Sequence, residues 1–298
     1  MMQSTTDSLT DPEDWLGLRG ARVLVAGAGG LGAACAAAFL RAGALVEVVD
    51  ADADRAAAAV GTGVPDRPGS ARAGAAVGTG VPDRPDPARP DPDRPDPDRP
   101  AADRAVATVA DLSRPEAVRS TIDAMVERWG GIDVCVHAVG INTRKPVLDT
   151  DTSEWARTIE INLTTGWLLG QEAGRRMVEQ GSGRIVYFSS VSGLLAHKDH
   201  APYAASKGAI NQMMRVMAAE WAGRGVTVNA VAPGYVETDL TRAYLERDGN
   251  RGRLESMVPA GRLGSPEEVT GPVLFLSSSQ ARFVTGHVLY VDGGRTLV

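Results

Sequence analysis

RVLVAGAGGLGAACAAAFLRAG, residues 22–43, decides how the rest of the chain is read. Its first half is a short Val/Leu run that suits a buried strand, and its second half is an Ala-rich helical stretch. Between them stands Gly27-Ala28-Gly29-Gly30-Leu31-Gly32, a G-x-G-x-x-G pattern in the strand-to-helix context it requires. Such glycines allow a tight turn and let backbone N–H groups approach a pyrophosphate, whose charge suits a helix N-terminus. The motif alone could also be a plain Gly-rich turn. Its placement makes Gly27, Gly29, Gly30, Leu31 and Gly32 candidate dinucleotide contacts.

Working outward, six more apolar runs recur: ALVEVVD, AVATVADL, IDVCVHAV, RIVYFSS, VTVNAVAP and HVLYVDGG, with amphipathic stretches between them. Near-continuous Val/Ile/Leu strands alternating with helices predict an α/β fold of Rossmann type. Its doubly wound parallel sheet should have about seven strands, with helices on both faces. One helix is expected to open on a capping box, Ser113-Arg-Pro-Glu116. An N-terminal arm over 1–18 should precede a single domain over 19–298, interrupted at 61–104. That segment holds ten of the eighteen prolines and repeats AAVGTGVPDRP at 58–68 and 75–85. It lacks the apolar content to offset its ordering entropy, so a disordered or extended insertion is expected.

Composition narrows the function classes. With 298 residues and 43% hydrophobic content the chain can bury one large core, or two at most. A net charge of −6 gives no basic footprint for nucleic acid. Cys35 and Cys135 sit in apolar stretches and read as buried small side chains, and no metal site is expected. No apolar run approaches the ~18 residues of a bilayer span, and the N-terminus has no export-signal pattern, so a cytoplasmic location is expected.

Asp50 ends the second run, eighteen residues past Gly32. A carboxylate there can accept hydrogen bonds from adenosine ribose hydroxyls and would repel a 2′-phosphate, which favours NAD(H) over NADP(H). Arg55 could soften that preference, and a helix-capping acid is the ordinary alternative. Asp111 and Leu112 close the third run, placed to meet an adenine.

Tyr203 and Lys207 lie four apart in YAASK, and Ser190 precedes Tyr203 by thirteen residues. Positions i and i+4 share a helix face, so phenol and ammonium can point into one cleft. A positive neighbour should lower the phenol pKa from about 10 and make it usable as an acid/base. The chain has only three lysines, Lys145, Lys198 and Lys207.

Together these residues resemble the short-chain dehydrogenase/reductase family along nearly the whole chain outside 61–104. The likeness rests on the glycine turn, Asp50, Asp111-Leu112, Asn162 in INLTTG, Ser190 in SSVSG, Tyr203-x-x-x-Lys207, Asn229, Pro233-Gly234, Thr238 and the closing VTGHVLYVDGG. Two departures stand out. Either Ala26 replaces the first glycine of the family's TGxxxGxG, or the turn is one residue shorter and ends as Gly27/Gly29/Gly32. The family's NNAG reads His137-Ala-Val-Gly140 here, and structural packing is the role expected of His137.

The resemblance implies a catalytic set of Asn162, Ser190, Tyr203 and Lys207. Tyr203 would be general acid/base, Lys207 its electrostatic partner, Ser190 the group that orients the reacting oxygen, and Asn162 the holder of a relay water. It further implies cofactor contacts at Ala138, Gly140, Tyr203, Lys207, Pro233, Gly234, Val236 and Thr238. The chain is most similar to gluconate 5-dehydrogenase-type sugar-acid and polyol dehydrogenases. That implies an NAD-dependent oxidoreductase acting on a small hydroxylated acid, sugar acid or polyol. The alternatives are an NADP-dependent 3-oxoacyl-thioester or polyketide ketoreductase, and a non-catalytic dinucleotide-binding protein. Arg144, Lys145, His197 and His200 lie in loops that could meet a carboxylate or a polyhydroxylated substrate, with solvated loop charges the ordinary alternative, and the segment Tyr235–Gly261 suggests a mobile lid. Apolar outer faces on the helices around Asn162 and Tyr203 predict a homo-oligomer, dimer or tetramer.

Overall fold

The Val-, Ile- and Leu-rich runs form seven strands: β1 Arg22–Ala26, β2 Leu45–Asp50, β3 Ala105–Val109, β4 Val134–His137, β5 Gly183–Phe188, β6 Val226–Pro233 and β7 Val288–Val291. The structure is a computed structural model and describes residues 14–61, 101–247 and 249–298. The strands pair in parallel in the order β3-β2-β1-β4-β5-β6-β7. Strand order reverses between β1 and β4, which opens a crevice at their C-terminal ends where ligands of such sheets bind.

Nine helices are described: α1 Gly30–Arg41, α2 Ala53–Gly61, α3 Pro115–Trp129, α4 Thr152–Ile159, α5 Thr165–Gln180, α6 Ala201–Trp221, α7 Asp239–Leu245, α8 Asn250–Glu255 and α9 Pro266–Ser277. Alternation along each strand feeds two cores. Leu24 and Ala26 of β1 join Ile122, Met125 and Trp129 of α3, Leu169 and Met177 of α5, and Ile210 and Met214 of α6. Val23 and Val25 face the other way, toward Phe39 and Leu40 of α1 and Val269, Val273 and Leu276 of α9. Helices on both faces thus match the doubly wound architecture read from the sequence. Cys35 and Cys135 are buried free thiols, each pushed up to about 12 by burial.

Three local features shape this frame. Helix α5 carries Gly166, Gly170 and Gly174 on one face. A Cβ at Gly170 would collide with the Tyr187 hydroxyl, and one at Gly174 would come within 2.6 Å of the Trp221 ring. The helix therefore lies closer to β5 and α6 than any side chain there would permit. Second, Glu47 is fully buried on β2, where Arg128 Nη1 at 2.5 Å and Thr108 Oγ1 at 2.7 Å hold its two oxygens. Third, α3 does not open on the expected capping box. Its N-cap position is Arg114, with no side-chain cap bond. Ser113 turns back instead, donating from N and Oγ to Asp111 Oδ1 at 3.0 and 2.8 Å, while Glu116 pairs with Arg114. A charged acceptor two residues upstream outcompetes the helix terminus for the serine.

The connection from α2 to β3 leaves Gly61 and re-enters through a 3-10 turn at Ala101–Arg104. The proline-rich repeat expected to be disordered lies, at 62–100, outside the described residues. No described helix is long and apolar enough to cross a membrane.

Candidate active site

Every candidate residue lies at or just past the C-terminal end of a strand, or on a helix that faces that rim. Past β1, Gly27 takes φ +95°, and a Cβ there would press within 2.9 Å of the Ala138 carbonyl. Gly29 is the N-cap of α1, with extended backbone and no side-chain cap. A Cβ on Gly29 would meet nothing within 4 Å, whereas one on Gly30 would lie 3.0 Å from Thr238. Gly32 packs so closely on the Gly27 carbonyl that only hydrogen fits. These roles match the shorter turn, Gly27/Gly29/Gly32. Gly29 leaves open space before a helix N-terminus, and this fits an approaching pyrophosphate. Leu31 lies in the first turn of α1, partly buried against the core.

Asp50 ends β2. Its Oδ2 accepts from Ala28 N at 2.8 Å, and its Oδ1 accepts from Asp52 N at 2.9 Å and Arg55 Nη2 at 2.7 Å. Burial pushes its pKa up, but the Arg55 hydrogen bond and the two backbone donors hold it below the ordinary value. The Asp50–Arg55 pair was only half visible in the sequence, which suggested Arg55 as a modifier and not as a direct partner. Past β3, Asp111 is exposed and Leu112 is buried in the core. Past β6, Gly234 packs so closely on Asp292 that a Cβ would lie 2.8 Å from its Cα. Val236 is buried and bridges to Gly264, and Thr238 starts α7.

On the facing rim, Ser190 caps the short turn after β5, and its Oγ accepts from Ser192 N at 3.1 Å. Tyr203 and Lys207 share one face of α6, with Lys207 Nζ 5.6 Å from the Tyr203 ring centre. Lys207 is buried, and its Nζ donates to Phe188 O at 2.7 Å. Burial lowers its pKa to about 8.

The expected lowering of the tyrosine by Lys207 does not occur. Burial raises the Tyr203 phenol above its ordinary value, against the opposing effects of a Ser190 hydrogen bond and the Arg144 charge. The lysine is turned onto a carbonyl and its own charge is weakened, so desolvation of the phenol prevails.

Asn162 lies in a π-helical turn, Glu160–Thr164, between α4 and α5. Its Oδ1 accepts from Ile141 N at 2.7 Å, and its Nδ2 donates to Ile141 O at 2.9 Å and Ser206 Oγ at 3.0 Å. Ser206 Oγ in turn donates to Tyr203 O at 2.7 Å. A Cβ on Gly140 would sit 3.5 Å from both Asn162 Oδ1 and Lys207 Nζ, so these groups border the same small space. The π turn had no sequence signature, since one extra residue in a helix leaves an apolar pattern almost unchanged.

The loops sort differently than expected. Arg144 stacks on Tyr244, its guanidinium carbon 3.7 Å from the ring centre, and meets no carboxylate among the described residues. Lys145 pairs with Glu154 at 2.7 Å, a partly exposed ion pair that a substrate carboxylate would have to compete with. His197 is engaged at both nitrogens, by Ser192 Oγ at 2.7 Å and Tyr235 OH at 3.3 Å. His200 packs edge-on to Tyr203 at 6.3 Å and is tied to Lys198 O. Burial lowers both histidines, so each favours the neutral form. The Tyr235–Gly261 segment folds as α7 and α8, whose Leu245 and Leu254 cluster with Leu263 just beyond it. Ser192, Tyr235, Tyr244 and Ser206 carried no motif of their own, so the sequence reading did not single them out.

A sequence profile described as Enoyl-(Acyl carrier protein) reductase matches residues 95–296. The chain belongs to the short-chain dehydrogenase/reductase family. It is 40% identical over 195 residues to a galactitol 2-dehydrogenase (L-tagatose-forming) of Cereibacter sphaeroides, covering 65% of this chain and 76% of that one. It is 37% identical over 188 residues to a 3-oxoacyl-[acyl-carrier-protein] reductase of Vibrio cholerae, covering 63% and 76%. A solved gluconate 5-dehydrogenase from Burkholderia cenocepacia, in complex with NADP and tartrate, superposes with a TM-score of 0.78 at 30% identity, covering 95% of this chain and 99% of that one. As a family member this short-chain dehydrogenase/reductase is an oxidoreductase of CH–OH groups that binds a nicotinamide dinucleotide.

Proposed function

We propose that the enzyme interconverts a secondary alcohol and a ketone in a hydroxylated carboxylic acid, sugar acid or polyol. The observation that carries the acidic substrate is Arg144. Its guanidinium lies over the Tyr244 ring, is electrostatically coupled to the Tyr203 phenol, and has no carboxylate of its own among the described residues. A planar fork held beside the reacting phenol matches a carboxylate two-pronged. The relative named for gluconate points the same way, while the one named for galactitol fits the neutral polyol included in the reading.

In this reading Tyr203 gives its proton to the carbonyl oxygen during reduction and takes it back during oxidation. Its raised pKa keeps it protonated near neutrality, which suits the donor role. Ser190 holds the reacting oxygen against Tyr203. Lys207 would pass protons between Tyr203 and solvent through a water held by Asn162, both side chains bordering Gly140. Bound nicotinamide supplies or accepts the hydride.

NAD(H) is the carrier favoured by Asp50, whose carboxylate ends β2 where an adenosine ribose would lie. NADP(H) is the second reading. It is favoured by Arg55, half exposed on that same carboxylate, and by the NADP in the Burkholderia structure. The outer faces of α5 and α6, where Trp167 and Val216 are exposed, would join a dimer or tetramer.

The test crosses NADH and NADPH with keto-sugar acids, ketoses and 3-oxoacyl thioesters, following the absorbance of the reduced nicotinamide. Turnover of keto-acids lost about 100-fold or more in Tyr203→Phe, with cofactor affinity kept, is expected. Turnover of the thioesters alone would replace the sugar-acid reading with the ketoreductase one.

A further inference from the structure

His137 stands at the end of β4, where relatives of this family were expected to carry asparagine, and it is completely buried. Its Nε2 lies 2.8 Å from Thr165 Oγ1. The Thr165 amide reaches back five residues to Glu160 O, so Ile161 O loses the partner an α-helix would give it. The Thr165 hydroxyl replaces that partner, donating to Ile161 O at 2.6 Å. With its only proton committed, Thr165 Oγ1 accepts from His137, which fixes the imidazole as the neutral Nε2–H tautomer. The other nitrogen, Nδ1, is buried without a partner and faces Gly166, where a Cβ would come within 3.3 Å of it.

The same π turn is gripped a second time. Asn162 clamps both the N–H and the carbonyl of Ile141, four residues beyond His137. Both ends of the 137–141 loop are therefore tied to one helical turn. Between the ties lie Ala138 and Val139, pressed against Gly27 of the glycine turn, and Gly140, bordering Lys207 and Asn162.

We infer that His137 is a positioning residue which, through the Thr165 hydroxyl, locks the π turn and with it the loop that forms one wall of the dinucleotide site. The inference rests on placing the dinucleotide at Gly27–Gly32. Substitutions sort by the atom they keep. His137→Gln places an N–H donor at the height of Nε2, and His137→Asn places one only at the height of Nδ1. Thr165→Ser keeps the hydroxyl and Thr165→Val removes it at constant shape.

The full-length chain is titrated with NADH and NADPH by nucleotide fluorescence, alongside kcat, KM and thermal midpoint. His137→Asn and Thr165→Val each weaken binding about tenfold, as for one lost buried hydrogen bond, and lower kcat. His137→Gln and Thr165→Ser stay within about twofold of wild type. Wild-type cofactor affinity in both His137→Asn and Thr165→Val overturns the inference, as does a drop in thermal midpoint without any change in affinity or kcat. If His137→Asn does not fold, the Thr165 pair decides alone. Gly29→Val separates the underlying placement, because it fills only open space before α1. If that variant binds cofactor like wild type, the placement itself is wrong. If it fails to bind while His137→Asn and Thr165→Val bind normally, only the strut is wrong.

Discussion

Replacing Arg144 tests the acidic-substrate reading most directly. A charge-assisted hydrogen bond to a carboxylate contributes about 1.5–3 kcal/mol, and the solvent exposure of Arg144 puts it at the lower end. Arg144→Ala should then raise KM for a keto-sugar acid about tenfold and leave KM for a neutral ketose within about twofold. Stacking on Tyr244 at 3.7 Å adds roughly 0.5–1 kcal/mol of orientation. Arg144→Lys keeps the charge but loses the planar fork, so it should recover only part of the loss, and Tyr244→Leu should raise KM about two- to fivefold. Removing the Arg144 charge also raises the Tyr203 pKa, since that charge now opposes its upward shift. The assay is steady-state kinetics on matched acid and neutral substrates over a pH series. Equal KM changes for both substrates, or none, would refute the carboxylate contact.

Three other outcomes are expected. Arg55→Ala should weaken NADPH binding more than NADH binding, because it removes the cation on the Asp50 carboxylate at 2.7 Å; a larger loss for NADH would reverse that role. Lys207 is lowered to about 8 from its ordinary 10.5, so between these values the unfolded chain binds more protons than the native one. Stability of wild type relative to Lys207→Met should therefore be flat below about 8 and climb as pH rises from 8 toward 10.5, and denaturant melts that show a decline there would contradict the sign. Arg128→Met should destabilise the protein by on the order of 3 kcal/mol by leaving Glu47 buried and unpaired, whereas the Glu47→Met/Arg128→Met double variant should regain much of it.

The strand runs announced all seven strands because a sheet covered on both faces needs apolar residues at every position, and few other structures do. Motif spacing likewise carried Ser190, Tyr203, Lys207 and the glycine turn to one rim. What the sequence withheld was competition between neighbours. Ser113 was free to choose Asp111 over the helix end. Lys145 found Glu154, and Lys207 found the Phe188 carbonyl rather than acting on the phenol. Each outcome depends on distances of a few tenths of an ångström between groups whose types alone allow several pairings. The π turn escaped for a related reason: it shifts backbone bonds without altering which residues are apolar.

The glycines of α5 restrict the order in which this protein can change. Alanine normally steadies a helix that contains glycine, yet at 170 or 174 the added methyl would strike Tyr187 or Trp221. Any bulkier residue there has to wait until its opposing ring has first been trimmed, a step that by itself leaves a void. Both single steps are losses, so the α5 contact persists as a coupled set, and heat-resistant variants will have to arise elsewhere in the molecule.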